Sequence, residues 1–387
     1  MRSCARAVAL EALMRIRHIS PLVLAILLVL MLGAASCRNR TDRVRQDSGL
    51  YPMVENGKVG YINGKGKVVI KPEFDLGGDF YEGRAVVRRG GEYGFINKKG
   101  KETIKAQYAD AAHFSDGLAA VSKTDGGKVR WGYVAKNGKE VIPCQYKAVG
   151  LFSQGLAPAV SGSKWGYINR DAASAVESNY DAVGPFYQGL ARVNLGGDYG
   201  FVNRKGRLIV NPQFGAAMNF SEGLAAVMRD GRWGYIDDVR NFVIPLQFRG
   251  ARSFYQSLAA VQVGNKWGYI SKKGRLVLQP RYERAGDFSE GLAMVQMKTE
   301  QQKNEEAQWG YINRKGQVKI KPQFDFADVF IGGLARVATF TRDGSVRFGY
   351  INKKGRHVWG PVEYTKPADI AAVKEIMAGA GLYEEVY

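Results

Sequence analysis

Five tryptophans that recur at one place in a repeated motif, as in "KWGYIN" at residues 164–169, are the first candidates for binding chemistry. Aromatic rings at regular spacing can stack on sugar rings, and they can equally fill the interface between neighbouring structural units. Each ring stands beside a glycine at the same strand position, so we favour the core interpretation and keep an aromatic binding face as the alternative. The five residues are Trp131, Trp165, Trp233, Trp267 and Trp309.

Basic residues in the turns that follow this motif form the second candidate site. Nine equivalent turns carry 20 Lys or Arg, and acidic residues there are few, mainly Asp171, Asp237 and Asp238. Solvated turn tips are the simple explanation, but repeats stacked in register would align these cations along one positive edge. The candidate basic edge comprises Lys98, Lys99, Lys101, Arg204, Lys205, Arg207, Lys272, Lys273, Arg275, Lys353, Lys354 and Arg356.

Residues that support catalysis or metal binding are sparse. His113 and His357 lie far apart, and no Cys or His cluster has metal-ligand spacing. Cys144 in "IPCQYK" is most simply a small buried residue, because a catalytic thiol needs a base. No G-x-S-x-G, Walker or H-E-x-x-H motif occurs. We therefore predict a protein that is not an enzyme and needs no cofactor.

The N-terminal segment has the pattern of an export signal. Basic residues precede the twelve-residue apolar run "PLVLAILLVLML", which is too short to span a bilayer, and the small residues of "GAASC" follow it. "AASC" resembles a bacterial lipobox, which implies that Cys37 carries lipid; a secreted protein without lipid is the alternative. We predict a signal peptide at 1–36 and a flexible tether at 37–48, with the protein lipid-anchored in the bacterial cell envelope, at the outer membrane or the periplasmic face.

The formal net charge is +20, and removal of residues 1–36, with four Arg and one Glu, leaves about +17. This excess predicts an anionic partner or surface. For an exported protein the candidates are lipid head groups, anionic glycans and acidic proteins, and export argues against nucleic acid.

The repeat has a period of 34 residues, and its motif recurs from Val59 to Phe348. The position 21 residues after the motif's first aligned residue is Phe in eight of eight copies, from Phe80 to Phe330. We predict that these rings are core. Extra lengths of 4, 8 and 5 residues all fall before the next motif, so one loop of the repeat tolerates variation, as in repeat arrays.

Local patterns predict three strands per repeat. "WGYI" is apolar on both faces, which requires a strand packed on both sides. "NKKGK" places Asn and Gly where a type I turn with a Gly bulge needs them, and a return strand such as "RLIVNPQF" follows. A loop then carries the invariant Phe to a third strand of the kind "SEGLAAV".

These motifs resemble the bacterial WG-repeat family, also called KWG repeats, whose consensus is W-G-[YF]-I-[ND]-x-x-G-x-x-[VI]-I-x-P-x-[YF] with a later F-x-x-G-L-A-x-V. The resemblance covers residues 49–364 with eight full copies, although Val59, Tyr93, Tyr199 and Phe348 replace the Trp. It implies a binding or scaffold module.

We therefore expect an all-β protein of about nine three-stranded antiparallel repeats in an open twisted array at 49–364. A closed β-propeller is the alternative, although nine blades exceed the usual four to eight. At 365–387 we expect a short helical cap, because Ile370, Val373, Ile376 and Met377 share one helical face. The expected function is a lipid-anchored binding or scaffold protein; the alternatives are the carbohydrate-binding part of a glycan-active enzyme system and a purely structural envelope protein.

Overall fold

The computed structural model describes residues 46–47, 49–298 and 306–379. The predicted signal peptide, Cys37 and most of the predicted tether lie outside the described residues. Within the described ranges, no helix is both long enough and apolar enough to cross a membrane.

The described strands form nine antiparallel sheets, which follow one another along the chain and which we number as blades 1 to 9. Blades 1 to 4 contain, in turn, β1 (Leu50–Glu55), β2 (Lys58–Asn63) and β3 (Val68–Phe74); β4 (Leu76–Tyr81), β5 (Arg84–Arg89), β6 (Glu92–Asn97) and β7 (Glu102–Tyr108); β8 (Asp110–Ser115), β9 (Leu118–Asp125), β10 (Lys128–Ala135) and β11 (Glu140–Tyr146); β12 (Ala157–Ser161), β13 (Lys164–Ile168) and β14 (Ser174–Tyr180).

Blades 5 to 9 continue in the same order along the chain. They contain, in turn, β15 (Ala182–Val183), β16 (Leu190–Leu195), β17 (Asp198–Asn203) and β18 (Leu208–Phe214); β19 (Ala216–Ala217), β20 (Ala225–Arg229), β21 (Arg232–Ile236) and β22 (Phe242–Phe248); β23 (Gly250–Ala251), β24 (Leu258–Val263), β25 (Lys266–Ser271) and β26 (Leu276–Tyr282); β27 (Arg284–Ser289), β28 (Leu292–Met297), β29 (Gln308–Asn313) and β30 (Val318–Phe324); β31 (Phe326–Ala327), β32 (Leu334–Phe340), β33 (Val346–Asn352) and β34 (His357–Tyr364). A helix, α1 (Pro367–Ala378), follows.

A complete blade has four strands, which we name A to D in chain order, and seven of the nine described sheets are complete. The sequence predicts three strands and not four, because strand A, the short segment that carries the invariant Phe, has the composition of a loop. In blade 4 this strand is reduced to isolated bridges such as Val149↔Ala159. In the described part of blade 1 it is absent, and the sheet has the order β1-β2-β3.

The predicted turn between strands C and D is confirmed. In blade 1 the Asn63 side chain accepts hydrogen bonds from the backbone N–H groups of Lys65 and Lys67, and Gly66 has a φ of 78°. A bulge in the C–D pairing follows at Tyr61 and Ile62. The Asn therefore fixes the start of the turn, and the Gly supplies the left-handed residue that a side chain disfavours.

The hydrophobic core is divided into nine clusters, one at each interface between blades. In strand C of blade 3, Tyr133 packs with Ile168 of blade 4, whereas the next residue, Val134, packs with Phe95 of blade 2. An open row of nine blades has eight interfaces. The ninth cluster joins Tyr350 of blade 9 to Ile62 of blade 1. The chain is therefore a closed nine-bladed β-propeller, and the predicted open array is wrong.

Closure has a direct physical reason. Each blade is apolar on both faces, so an open row would leave one apolar face exposed at each end, and closing the ring removes both faces from water. The invariant Phe residues are confirmed as core, since the exposed fraction of each is 3% or less, from Phe80 to Phe330. In most blades this ring packs at an angle to the strand C aromatic of the preceding blade, with centroids 4.9 Å apart for Phe201 and Phe220.

Buried tyrosine hydroxyls connect the blades with hydrogen bonds. Tyr167 donates to the Gly184 carbonyl and Tyr269 to the Gly286 carbonyl, over 2.7 Å and 2.8 Å, in both cases to strand A of the next blade. Burial raises the pKa of each hydroxyl well above its usual value, so these groups remain donors at physiological pH. In blade 9 the equivalent Tyr350 donates to the Pro52 carbonyl of blade 1 over 2.7 Å.

We call the interface between blades 9 and 1 the seam, and helix α1 packs there. Ala372, Val373, Ile376 and Met377 are buried in the seam cluster, and Ile370 packs partly buried against it. The predicted helix and its apolar face are thus present. The helix covers blade 1 on the side where strand A is absent, rather than the end of an open stack.

Candidate functional site

The two faces of the ring carry different turns. Because neighbouring strands are antiparallel, the A–B and C–D turns lie on one face, which we call the basic face, and the B–C turns and D–A connections lie on the opposite face. Strand A forms the buried inner edge of each blade, whereas strand D alternates between exposed and buried residues and forms the outer edge. All twelve residues of the predicted basic edge belong to C–D turns on the basic face.

A chain of hydrogen bonds runs through the A–B turns of this face. An acidic or amide side chain in each turn accepts from a backbone N–H in the A–B turn of the next blade, as between Asp116 and Gly155, over 2.6 Å. Gln154, Glu222 and Glu290 repeat this contact with Gly189, Ser257 and Gly333. Asp47 makes it in blade 1, since it accepts from the Gly83 N–H over 2.7 Å. These contacts link blade 1 through to blade 9.

In several C–D turns the first basic residue forms an ion pair with one of these acidic A–B turn side chains. Lys98 lies 3.0 Å from Asp47, Lys272 lies 3.2 Å from Glu222, and Lys353 lies 2.9 Å from Glu290. Lys136 and Arg170 make the same contact with Glu82 and Asp116. Where the acceptor is neutral Gln154, the corresponding Arg204 makes no ion pair within the described ranges. Three members of the predicted basic edge therefore stabilise the ring.

Nine members remain, and Arg204 is described above; the other eight are exposed and form no ion pair with any residue that the structure describes. These residues, which we call the free cations, are Lys99, Lys101, Lys205, Arg207, Lys273, Arg275, Lys354 and Arg356. They stand in four of the nine blades. Their charges are available to a partner, and they cost the ring little if removed.

Basic residues on the opposite face are more evenly balanced by acids. Lys58 lies 2.5 Å from Asp75, at the start of strand A of the next blade, and Lys266 lies 2.5 Å from Glu283. Lys164 pairs with Asp181 in the same way. The pKa of the Asp75 carboxyl is lowered, first by the hydrogen bond from Lys58. The net positive charge of the ring is thus concentrated on the basic face.

The five tryptophans are half-buried, and each packs against a different interface cluster, as Trp131 and Trp267 do. Each pairs across strands C and D with another aromatic ring, for example Trp267 with Tyr282. A side chain on Gly250 would collide with the Trp267 ring at 2.9 Å, so the glycine of strand A makes room for it. Packing accounts for these rings, which lie near the B–C turns on the opposite face.

Cys144, His113 and His357 are the cysteine and histidine residues that the structure describes. The Cys144 thiol is half-buried and donates to the Val121 carbonyl over 3.6 Å, and burial raises its pKa. Burial lowers the pKa of His113 to about 4, and it also lowers the pKa of His357. The described residues contain no group of three or more His, Cys, Asp or Glu arranged to hold a metal ion.

A buried charge cluster at the inner edge of the ring is not predicted from the sequence. Arg336 of strand B in blade 9 pairs with Asp79 of blade 2, and Asp328 lies 4.0 Å from its Nε atom. A pocket of about 280 Å³ adjoins this cluster. "GLARV" at Arg336 departs from the "GLAAV" of several other repeats, but the same substitution occurs at Arg192 in blade 5, so it does not single out this cluster. The chain of acidic and amide side chains was also missed, although its period of about 34 residues is visible in the sequence.

The chain matches the family model described as "WG containing repeat" in eight segments: residues 60–93, 93–126, 131–165, 165–197, 199–233, 233–267, 267–298 and 309–338. The chain belongs to the WG-containing repeat family. These segments cover more than half of its length. None of the curated proteins matches the chain.

One solved structure is similar in fold to this WG-repeat protein, and two others align with lower TM-scores. A structure titled as the eukaryotic initiation factor aligns with a TM-score of 0.57 at 8% identity, over 83% of this chain and 97% of that one. A puromycin hydrolase mutant in complex with PGG aligns with a TM-score of 0.37 at 11% identity, over 81% and 59%. KlHsv2 with a replaced loop aligns with a TM-score of 0.36 at 9% identity, over 70% and 94%. At such identities the first likeness concerns the fold alone.

Proposed function

We propose that this protein is a non-catalytic, lipid-anchored scaffold of the bacterial cell envelope, and that its basic face docks on anionic lipid head groups. The WG repeats and the propeller fold suggest a binding or scaffold role. The observation that carries the proposal is the set of free cations, eight exposed side chains on one face of the ring.

The positions of Gln46 and Asp47 support this orientation. Gln46 pairs antiparallel with Tyr81, the last residue of strand A in blade 2, and Asp47 contacts Lys98. Both contacts lie at the basic face. If Cys37 carries lipid, a tether of the predicted length reaches roughly 18 Å by random-coil scaling. The basic face is then the face that the anchor holds toward the membrane.

Electrostatic attraction at short distance supplies the binding energy for this docking. Each Lys or Arg near an anionic membrane surface contributes roughly 1 kcal/mol, and the attraction falls off over about 8 Å at physiological salt. A flat ring face places cations from several blades at that surface together. A soluble acidic glycan would use the same charges, and the experiment below separates these two partners.

The experiment uses a Cys37→Ser background, so that adsorption reports the ring and not the lipid. Lys99, Lys101, Lys205, Arg207, Lys273 and Arg275 are changed together to Gln. Binding to vesicles that contain anionic phospholipid should weaken at least about tenfold, and its dependence on salt should flatten. Retention of the Lys98 and Lys272 ion pairs keeps the ring intact, which thermal melts can verify.

A matched control removes six exposed basic residues from the opposite face: Lys128, Arg232, Arg249, Arg284, Lys298 and Arg342. This control lowers the net charge by the same amount and should leave most of the binding. Equal loss in the two variants would show that overall charge, and not the basic face, drives adsorption. Binding to acidic polysaccharide but not to vesicles would replace the lipid by a glycan. Fatty-acid labelling of the wild type but not of Cys37→Ser tests the anchor.

A further inference from the structure

The seam leaves a pocket at the inner edge of the ring, on the side of the opposite face. Because the described part of blade 1 has no strand A, the space beside β1 is filled only in part by helix α1. The remaining volume is about 280 Å³. Its walls include Pro52 of blade 1, Gly78 and Asp79 of blade 2, Arg336 of blade 9 and Ile376 of the helix.

Comparison with other blades shows that this space is filled elsewhere by side chains. A Cβ added at Gly150 would meet Pro158 at 2.8 Å, and one at Gly286 would meet Met294 at 2.7 Å. At the equivalent Gly78 the nearest atom is the Val86 carbonyl oxygen, at 3.9 Å. The pocket is therefore a local departure from a pattern that packs the same position in other blades.

The buried charges beside the pocket do not balance. Arg336 pairs with Asp79, lies 4.0 Å from Asp328, and donates to the Ile376 carbonyl over 2.7 Å. One cation against two carboxyls leaves a formal charge of −1. The helix also presents its C-terminal end, the negative end of its dipole, and has no basic residue in its last turn. In a chain with an overall charge of +20, this site is negative.

Asp79 has one oxygen that is available to a ligand. The residue is 8% exposed and lines the pocket, and its Oδ1 atom has no hydrogen-bond partner among the described residues. A buried acceptor without a donor destabilises the folded protein. A ligand that donates a hydrogen bond to this oxygen removes that cost, and the gain contributes to binding. Asp110 and Glu375 add carboxyls around the same pocket, whereas the Asp75 carboxyl that also lines it is paired with Lys58.

The remaining wall is apolar and aromatic. Tyr81 and His113 stack with ring centroids 3.9 Å apart, and Tyr93, Val86 and Ala111 complete this side. Burial lowers the pKa of His113 to about 4, so this ring is neutral at physiological pH and adds no positive charge. Carboxyls at one end and aromatic rings at the other are the combination that recognises an organic ammonium group.

We propose that this pocket binds a small organic cation, with an ammonium group that donates to Asp79 Oδ1 and a short apolar or aromatic group against Tyr93 and Val86. The site is separate from the basic face, and its test is independent of membrane docking. Its volume lies at the small end of ligand pockets, which limits the ligand to a compact molecule.

The experiment uses three probes of similar shape and different charge: benzylamine, benzyl alcohol and benzoate. Binding to the intact protein is followed by ligand-observed NMR at millimolar concentrations, the range expected for so few atoms. Benzylamine, which is protonated at pH 7, should bind saturably and at least about tenfold more tightly than benzyl alcohol, and benzoate should not bind.

Two variants locate the site. Asp79→Asn should weaken benzylamine binding about tenfold, whereas Asp287→Asn, at the equivalent strand A position of blade 8, should not change it. Gly78→Leu should block the pocket without backbone strain, because a side chain there has room. If Asp79→Asn does not fold, Gly78→Leu still tests the site.

Three results would overturn the proposal: no saturable binding of benzylamine, equal binding of the alcohol and the amine, or benzylamine binding that survives both Gly78→Leu and Asp79→Asn. Loss of binding in Asp287→Asn as well as in Asp79→Asn would show a general effect on the ring and would also count against the pocket.

Discussion

The regular interfaces and the seam bury the same kind of apolar surface but satisfy their backbone differently. In a complete blade, strand A and the residue after it pair with strand B, as where Gly184 N–H donates to the Arg192 carbonyl over 2.8 Å. In blade 1 the corresponding carbonyls belong to Pro52 and Val54. They accept from the hydroxyls of Tyr350 and Tyr364, each over 2.7 Å.

Among the residues that the structure describes, the ring is closed by side chains and not by an exchanged strand. Both tyrosines belong to blade 9, about 300 residues away from the carbonyls they satisfy. Helix α1 supplies the apolar surface that strand A supplies elsewhere. The seam should therefore depend on a few specific residues, whereas each regular interface depends on the repeated pattern.

The largest effect is expected at the helix. Val373 is fully buried in the seam, so Val373→Asp would remove its apolar contacts and leave a buried charge without a partner. We expect a loss of about 5 kcal/mol or more in the free energy of unfolding, measured by urea denaturation. Lys374→Asp, on the exposed side of the same helix, is the control. Similar stability of Val373→Asp and the control would show that the helix is not needed for closure.

A regular interface should respond to loss of its invariant ring. Phe220 is 3% exposed and packs against Phe201 between blades 5 and 6. Phe220→Ala should lower the free energy of unfolding by about 3 to 5 kcal/mol through the cavity it leaves, with the seam intact. Unfolding followed by both tryptophan fluorescence and circular dichroism measures it. An unchanged denaturation midpoint would contradict the assignment of the Phe series to the core.

Loss of one tyrosine hydroxyl should have a smaller effect, which separates the seam from the regular interfaces. Tyr364→Phe removes one hydroxyl and leaves the Val54 carbonyl without that donor, at a cost of about 1 to 3 kcal/mol. Tyr180 is likewise the last residue of strand D in blade 4, and Phe stands at its position in blades 1, 5, 6 and 8. Tyr180→Phe should therefore be nearly neutral in the same thermal or chemical melts. Equal losses in the two variants would mean that the seam hydroxyl has no special role.

Local features of this fold could be predicted from the sequence because they have local causes. The period-two pattern of "WGYI", the Asn and Gly of each C–D turn, the buried Phe series and the apolar face of α1 all depend on residues close together in the chain. Strand A was not predicted because it is short, contains Gly and Asp, and pairs through few residues, as at Ala182↔Asn194.

Closure could not be predicted for a different reason. It depends on a small rotation between neighbouring blades that accumulates around the ring, and no single repeat reveals that angle. The contacts that fix it, such as Tyr350 with Pro52, join distant residues of different types. The pocket escaped prediction for the same reason, since Asp79 and Arg336 are 257 residues apart and both stand at variable positions of the repeat.

The chain of A–B turn contacts has a beginning and an end. It starts at Asp47 and finishes where Glu290 accepts from Gly332 and Gly333. From there to blade 1 the contact is of another kind, because the Tyr51 hydroxyl donates to the Ile331 and Gly332 carbonyls, each over 3.0 Å. The repeated A–B turn contact therefore occurs at eight of the nine interfaces, and the seam is the one that lacks it among the described residues. A load that spreads the ring would act, at the seam, on tyrosine hydroxyls rather than on the carboxyl and amide contacts that repeat in the A–B turns of the other eight interfaces.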